Sequence, residues 1–232
     1  MFEYERTADR LTVLRPATRW LSNGFDGGYR TADAAHNLTV PEGFERTDLA
    51  TFAAERLGSL PDGPTLLTGV EQTNARGARC GPIEAIVTAG LSNPAMLPVD
   101  EATSSPPSAP PESDAAVDPG TVNVLLGSNA PLTDGGLAGL LATAVEAKTA
   151  TLLKVADCTG TTSDAVVVGC PNSDDGSEAA FAGSATEIGN AARVCVRDAV
   201  LAALSARYDE LSEPRNAEFA TVASGDTTVF EP

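Results

Sequence analysis

The sequence predicts an α+β fold: a mixed, largely antiparallel sheet packed with two long helices and one shorter helix. Three observations predict it. Apolar runs of strand length come in hairpins or adjacent pairs rather than in strict strand–helix alternation. Two segments, opening near Asp134 and near Ser184, hold apolar residues at helical spacing over several turns. Hydrophobic residues make up 42% of the 232, enough for a core and too many for a disordered chain.

The elements follow in order. Residues 2–6 and 11–15 alternate in polarity on either side of a Thr-Ala-Asp turn and predict a hairpin. Residues 19–21 suggest a further strand ending at Ser22 and Asn23. Residues 24–37, with Gly24, Gly27 and Gly28, read as a loop. A short helix is expected over 48–57, with Thr47 as N-cap and Gly58 after its end. Three apolar runs, 65–70, 82–89 and 122–126, predict strands. Asp134 is expected to cap a helix reaching about Lys148. Residues 165–170 are rich in valine and predict another strand, with 179–182 as its pairing partner. Ser184 and Glu187 have capping-box spacing, and the helix they open carries Ile188, Ala192, Val196, Val200 and Leu204 on one stripe. That stripe suits a core or a homo-oligomer interface.

Residues 101–119 are dominated by Pro, Ser and acids and read as a loop inserted between two strands of one domain, spanning 1–212. The tail, 213–232, has no clear period, although 227–230 suggests an edge strand. No apolar run approaches the roughly 18 residues needed to span a bilayer, and the N-terminus lacks the basic-then-apolar order of a signal peptide. A cytoplasmic protein without a membrane partner is expected.

Thirty-two acidic residues against 15 basic ones leave a net charge of −17. Nucleic acid is excluded as a partner, because phosphate binding needs clustered positive charge. Acids spread along the whole chain, with lysine only at 148 and 154, read as adaptation to a salty interior, where screening shortens like-charge repulsion. Cys80, Cys158, Cys170 and Cys195 form no close pairs, so free thiols are expected rather than a zinc site.

Candidate chemistry gathers in a few places. Three strand ends share a Ser-Asn pair (Ser22-Asn23, Ser92-Asn93, Ser128-Asn129), which would make a polar rim if they met at one sheet edge, and which equally suits turns. Residues 159–164 offer hydroxyls and a carboxylate in one turn, with Thr161 or Thr162 as nucleophile or oxyanion donor and Asp164 as orienter. The spacing is not that of a phosphate-binding loop. Lys148 fits either a catalytic cation or a charge on a helix C-terminus. His36, the sole histidine, is a general-base candidate, and equally a structural residue.

Six segments occur together in a telling order: 20–30 (WLSNGFDGGYR), 36–41 (HNLTVP), 87–93 (VTAGLSN), 120–124 (GTVNV), 146–148 (EAK) and 160–165 (GTTSDA). In this the chain resembles the archaeal adenosylcobinamide amidohydrolase family, in its haloarchaeal form, from about Val13 to Tyr208. The resemblance implies hydrolysis of an adenosylcobinamide amide, releasing aminopropanol and leaving adenosylcobyric acid, in a salvage route to coenzyme B12. The corrinoid would be substrate, with no separate cofactor and no metal. The expected catalytic group is then Lys148, Asp164, Thr161, His36 and Glu146: Asp164 or His36 activating water or Thr161, and Lys148 with Glu146 serving the leaving amine. Asn23, Asn37, Asn93, Asn123 and Thr162 are the expected contacts to the amide-rich rim of the corrin, with Asn93 also facing the oxyanion. A corrinoid- or nucleotide-binding module without catalysis is the alternative.

Overall fold

The computed structural model of the protein describes residues 2–97, 120–173, 176–208 and 221–222. The expected loop at 101–119 and edge strand at 227–230 lie outside them. The elements are β1 (Glu3–Arg6), β2 (Arg10–Ser22), β3 (Gly28–Thr39), α1 (Leu49–Leu57), β4 (Thr65–Thr68), β5 (Arg76–Cys80), β6 (Ile83–Ala89), β7 (Pro94–Met96), β8 (Val122–Ser128), α2 (Asp134–Ala156), β9 (Gly160–Thr161), β10 (Ala165–Pro171), α3 (Glu187–Arg207) and β11 (Thr221–Val222).

The main sheet has the order β4-β3-β2-β10-β8-β6-β5, with β1 added on β2. Only β8–β10 and β3–β4 are parallel; the other pairs are antiparallel. The expected α+β fold with a mixed sheet is what forms. A small second sheet, β11-β7-β9, lies beside it.

The sheet is buried on both faces because it curls over itself. Pro16 has no N–H to give to a ladder, and the β2–β3 register shifts between Leu14 and Thr18, with Ala17 at φ 51°. This bulge bends the strand. The first half of β2 pairs with β1 and β3, and the second half pairs with β3 and β10. One face of β6, β8 and β10 (Ile83, Val87, Val124, Leu126, Val166, Val168) packs on α2 and α3. The other (Ile86, Leu125, Val167) packs on Leu11, Val13, Trp20, Ala35 and Leu66 from the curled part. Every residue of β6 and of β8 is buried, which is why these strands read as continuous apolar runs.

Several expectations are corrected. Residues 19–21 are no separate strand but the continuation of β2, and most of the expected loop 24–37 is β3, whose small and polar residues are held by pairing with β2. Strands β5 and β7 were not expected: β5 is too polar and too exposed to show a period. Ala179 bridges Leu132 rather than β10. Asp48, without a side-chain cap bond, stands at the N-cap of α1 instead of Thr47. The caps of α2 and α3 are the Thr133 and Thr186 hydroxyls, which accept from Gly136 N and Gly189 N. Helix α2 runs well past Lys148, so that lysine is no helix-end charge. By length and composition α2 would also suffice to cross a membrane, but half of its apolar window is buried inside the protein.

A Cβ at Gly169 would lie 2.4 Å and 2.5 Å from ring carbons of Trp20, whose side chain is fully buried. Gly169→Ala is therefore expected to lower stability by about 1–3 kcal/mol, read as a lower urea midpoint with an unchanged slope.

Candidate active site

Strands β8 and β10 are parallel, and β6 and the second half of β2 run against them. The starts of β8 and β10 therefore share one sheet edge with the ends of β2 and β6. Asn23 and Asn93 lie at this edge. Asn129, after β8, lies at the opposite one, where Arg15 Nη1 donates to its Oδ1 at 3.3 Å. The three strand ends do not form a common rim.

Asp164, directly before β10, is the centre of this edge. Its Oδ2 accepts from Lys148 Nζ, reaching in from α2, and from Thr161 N at 3.0 Å. Its Oδ1 accepts from Val122 N at 2.8 Å and from the Thr161 hydroxyl. The Lys148 and Asp164 side chains are only 7% and 11% exposed. Charges so withdrawn from water persist only when paired and fully hydrogen-bonded, and here three elements of the fold supply the donors. Gly160 makes the approach possible. Its φ is +154°, and a Cβ there would stand 2.4 Å from Asp164 Oδ2 and 2.8 Å from Lys148 Nζ. The buried thiol of Cys158 also feels this pair: burial pushes its pKa up, Asp164 adds to the rise and Lys148 opposes it.

A second hydroxyl pair stands beside the first. Thr121, 3% exposed, lies just before β8, and its Oγ1 is 2.8 Å from Ser163 Oγ. Thr121 O accepts from Gly90 N at 3.1 Å. Gly120 packs on the turn after β6: a Cβ on it would lie 2.2 Å from Ser92 N and 2.9 Å from Asn93 N. Sequence reasoning passed over Gly120, Thr121 and Ser163. The signal available was a Gly-Thr pair at the head of a largely apolar, wholly buried strand.

The expected site residues separate into three groups. Lys148, Asp164 and Thr161 meet. Asn93 and Thr162 are adjacent to them through Thr162 N, which donates to Asn93 O at 3.2 Å, so it is the Asn93 carbonyl that is engaged. Asn23 Oδ1 accepts from Val166 N at 2.7 Å and fixes the start of β10. The remaining four lie elsewhere. Glu146 is exposed, on a different face of α2 from Lys148. Asn37 and Asn123 are fully buried between the two layers of the sheet. Asn123 Nδ2 donates to Asn37 Oδ1 at 2.9 Å, and Asn37 Nδ2 donates to Thr88 Oγ1 at 2.9 Å and Gln72 Oε1 at 3.2 Å. His36 Nδ1 is 3.1 Å from Thr12 Oγ1, and the ring lines a different cavity with Arg10, Asp33 and Asp62. Burial and, to a lesser extent, Arg10 lower the His36 pKa from its ordinary 6.5 to about 4.

Hydroxyl, carboxylate and ammonium groups gathered in a buried edge are the equipment of a carbonyl-attacking hydrolase. The family model described as adenosylcobinamide amidohydrolase matches residues 3–212. A relative of that name from Halobacterium salinarum is 44% identical over 243 aligned residues, covering all of both chains. Another from Methanosarcina mazei is 29% identical over 210, covering 86% of this chain and 96% of its own. A solved L-aminopeptidase D-Ala-esterase/amidase from Ochrobactrum anthropi, described as a variant among the Ntn hydrolase fold, aligns at 12% identity and a TM-score of 0.38 over 88% of this chain and 83% of its own. The protein is thus a hydrolase of the amide-cleaving class. It belongs to the adenosylcobinamide amidohydrolase family.

Gly160→Ala is expected to push Asp164 and Lys148 apart, costing about 1–3 kcal/mol in thermal or urea unfolding and nearly all activity. His36 is neutral in the folded state down to about pH 4. The unfolded chain takes up that proton sooner, so the sign is fixed: stability is undiminished above pH 6.5 and falls as the pH drops from there toward about 4. Urea midpoints against pH should show this limb, and His36→Gln should flatten it while leaving turnover near normal at neutral pH.

Proposed function

We propose that this protein hydrolyses the amide that joins aminopropanol to adenosylcobinamide, releasing 1-aminopropan-2-ol and leaving adenosylcobyric acid, a step of cobinamide salvage toward cobalamin. The observation that carries this reading is the Asp164 carboxylate held at once by Lys148 Nζ, the Thr161 hydroxyl and Val122 N. Amide hydrolysis needs an attacking oxygen, a proton acceptor, donors for the developing oxyanion and an acid for the departing amine. Thr161 and Thr121 place two hydroxyls at this edge; Asp164 accepts from the first, and Ser163 Oγ shares a hydrogen bond with the second. The Lys148 ammonium, paired with Asp164, stands beside the place where negative charge develops. Asn23 and Asn93 at the rim offer amides to the amide groups of the corrin. The corrinoid is a small-molecule substrate, no cofactor or metal enters the route, and the reaction belongs to the cytoplasm.

The alternative is a corrinoid binder without catalysis, and one assay separates the two. In high salt, incubation with adenosylcobinamide is expected to yield free aminopropanol, whereas a binder yields only a spectral shift of the corrinoid. Lys148→Met is expected to cut release by about a hundredfold or more. It also leaves the Asp164 carboxylate without its cation, at roughly 3–5 kcal/mol of stability. Lys148→Met with Asp164→Asn removes both charges and should recover much of the stability but none of the activity. Recovery of turnover in the double variant would take the pair out of the mechanism.

A further inference from the structure

We infer that Thr121 is the attacking residue and that the protein frees it by cutting its own peptide bond between Gly120 and Thr121. The role of Thr121 in corrinoid hydrolysis rests on the function proposed above; the cut itself does not.

Two threonines at this edge follow a glycine, Thr121 and Thr161, and their surroundings differ. Thr161 gives both its N–H and its hydroxyl to Asp164. It also lies in β9, paired with Pro94 of β7. The hydroxyl of Thr121 meets another hydroxyl, Ser163 Oγ at 2.8 Å. Ser163 both accepts and donates, so it can take the Thr121 proton and pass it on. Gly120 packs on the turn after β6 so closely that no side chain fits: a Cβ there would lie 2.2 Å from Ser92 N, 2.9 Å from Asn93 N and 3.0 Å from Gly90 O. This close packing fixes the Gly120 peptide beside the Thr121 hydroxyl. Asp164 and Lys148 complete the surroundings, through Val122 N, the amide next after Thr121.

The chemistry balances with water as the one co-reactant. Thr121 Oγ attacks the carbonyl carbon of Gly120 and loses its proton. The bond from that carbon to Thr121 N breaks, and the nitrogen leaves as an amine carrying the proton. Water then cleaves the resulting ester, giving a Gly120 carboxylate and a free Thr121 hydroxyl. The new α-amine titrates near neutrality, at roughly pH 7.7–8.0 in unperturbed chains, and serves as a built-in base for the neighbouring hydroxyl. A second amide, that of the substrate, is then cleaved by the same attack without losing the residue.

The topology tolerates the cut. Strands β8 and β10 of the C-terminal portion lie between β2 and β6 of the N-terminal portion. Ladder bonds on both sides, together with α2 and α3 over the sheet, hold the two pieces together.

The test is intact mass spectrometry of the purified full-length protein under denaturing conditions. Two chains are expected, residues 1–120 and 121–232, whose masses sum to the uncut chain plus one water, with Thr121 as the new N-terminus. Thr121→Ala should stay whole and lose aminopropanol release by roughly a thousandfold or more. Thr121→Ser should still cut and still turn over, which covers the case in which the alanine variant fails to fold. An active enzyme consisting of one uncut chain overturns the inference. So does a cut at any other bond, including that between Gly160 and Thr161, or the same cut in Thr121→Ala. A protein that cuts at Thr121 and yet releases no aminopropanol leaves the cut standing and removes the proposed function instead.

Discussion

The burial of one carboxylate organises this molecule. Asp164 sits at the head of β10, in the middle of the main sheet, with its side chain 11% exposed. A charge in that position demands a complete set of donors. The set comes from α2, from the head of β8 and from the turn carrying β9. Satisfying Asp164 thereby fixes the register of α2 over the sheet and the path of residues 160–164. It also explains a lysine here in a chain whose other cations, apart from Lys154, are arginines. A compact ammonium fits against the backbone at Gly160, where a Cβ would already stand 2.8 Å from Lys148 Nζ. A planar guanidinium is broader and needs its own fork of acceptors.

The doubled sheet is the second constraint. The curled layer is held to the first by apolar packing around Trp20 and by a buried polar chain linking Asn37, Gln72, Thr88 and Asn123. Such a network specifies how two layers meet, because other arrangements would leave more polar groups buried without partners. Among the described residues, Asn123 Oδ1 alone in this network has no partner. Asn37 and Asn123 thus serve the joining of the layers, while Asn23 and Asn93 occupy the edge where chemistry is concentrated.

Legibility followed from the range of the physics involved. Strongly periodic or wholly apolar segments could be read: β6, β8 and β10 as apolar runs, and α3 from its stripe of Ala192, Val196, Val200 and Leu204, each fully buried. Polar strands could not. Strand β3 is rich in alanine and polar residues, and it exists because β2 lies alongside it. In the same way, Asp164 and Thr161 were legible as partners because they lie three positions apart within one turn. Thr121 was not, because its meeting with Ser163 spans 42 positions.

The sequence by itself determined the α+β class, the two long helices, the acidic character and the set of segments that mark the family, since each depends on composition or local order. Only the tertiary structure decided which polar residues share a site. Strand direction sends Asn93 to one sheet edge and Asn129 to the other, and curling buries Asn37 and Asn123 while His36 is carried into a separate cavity. The helix brings Lys148 onto Asp164, 16 residues along the chain. Side-chain chemistry is written locally. Its convergence depends on strand order and direction, which are set by burying apolar surface between residues far apart in the chain.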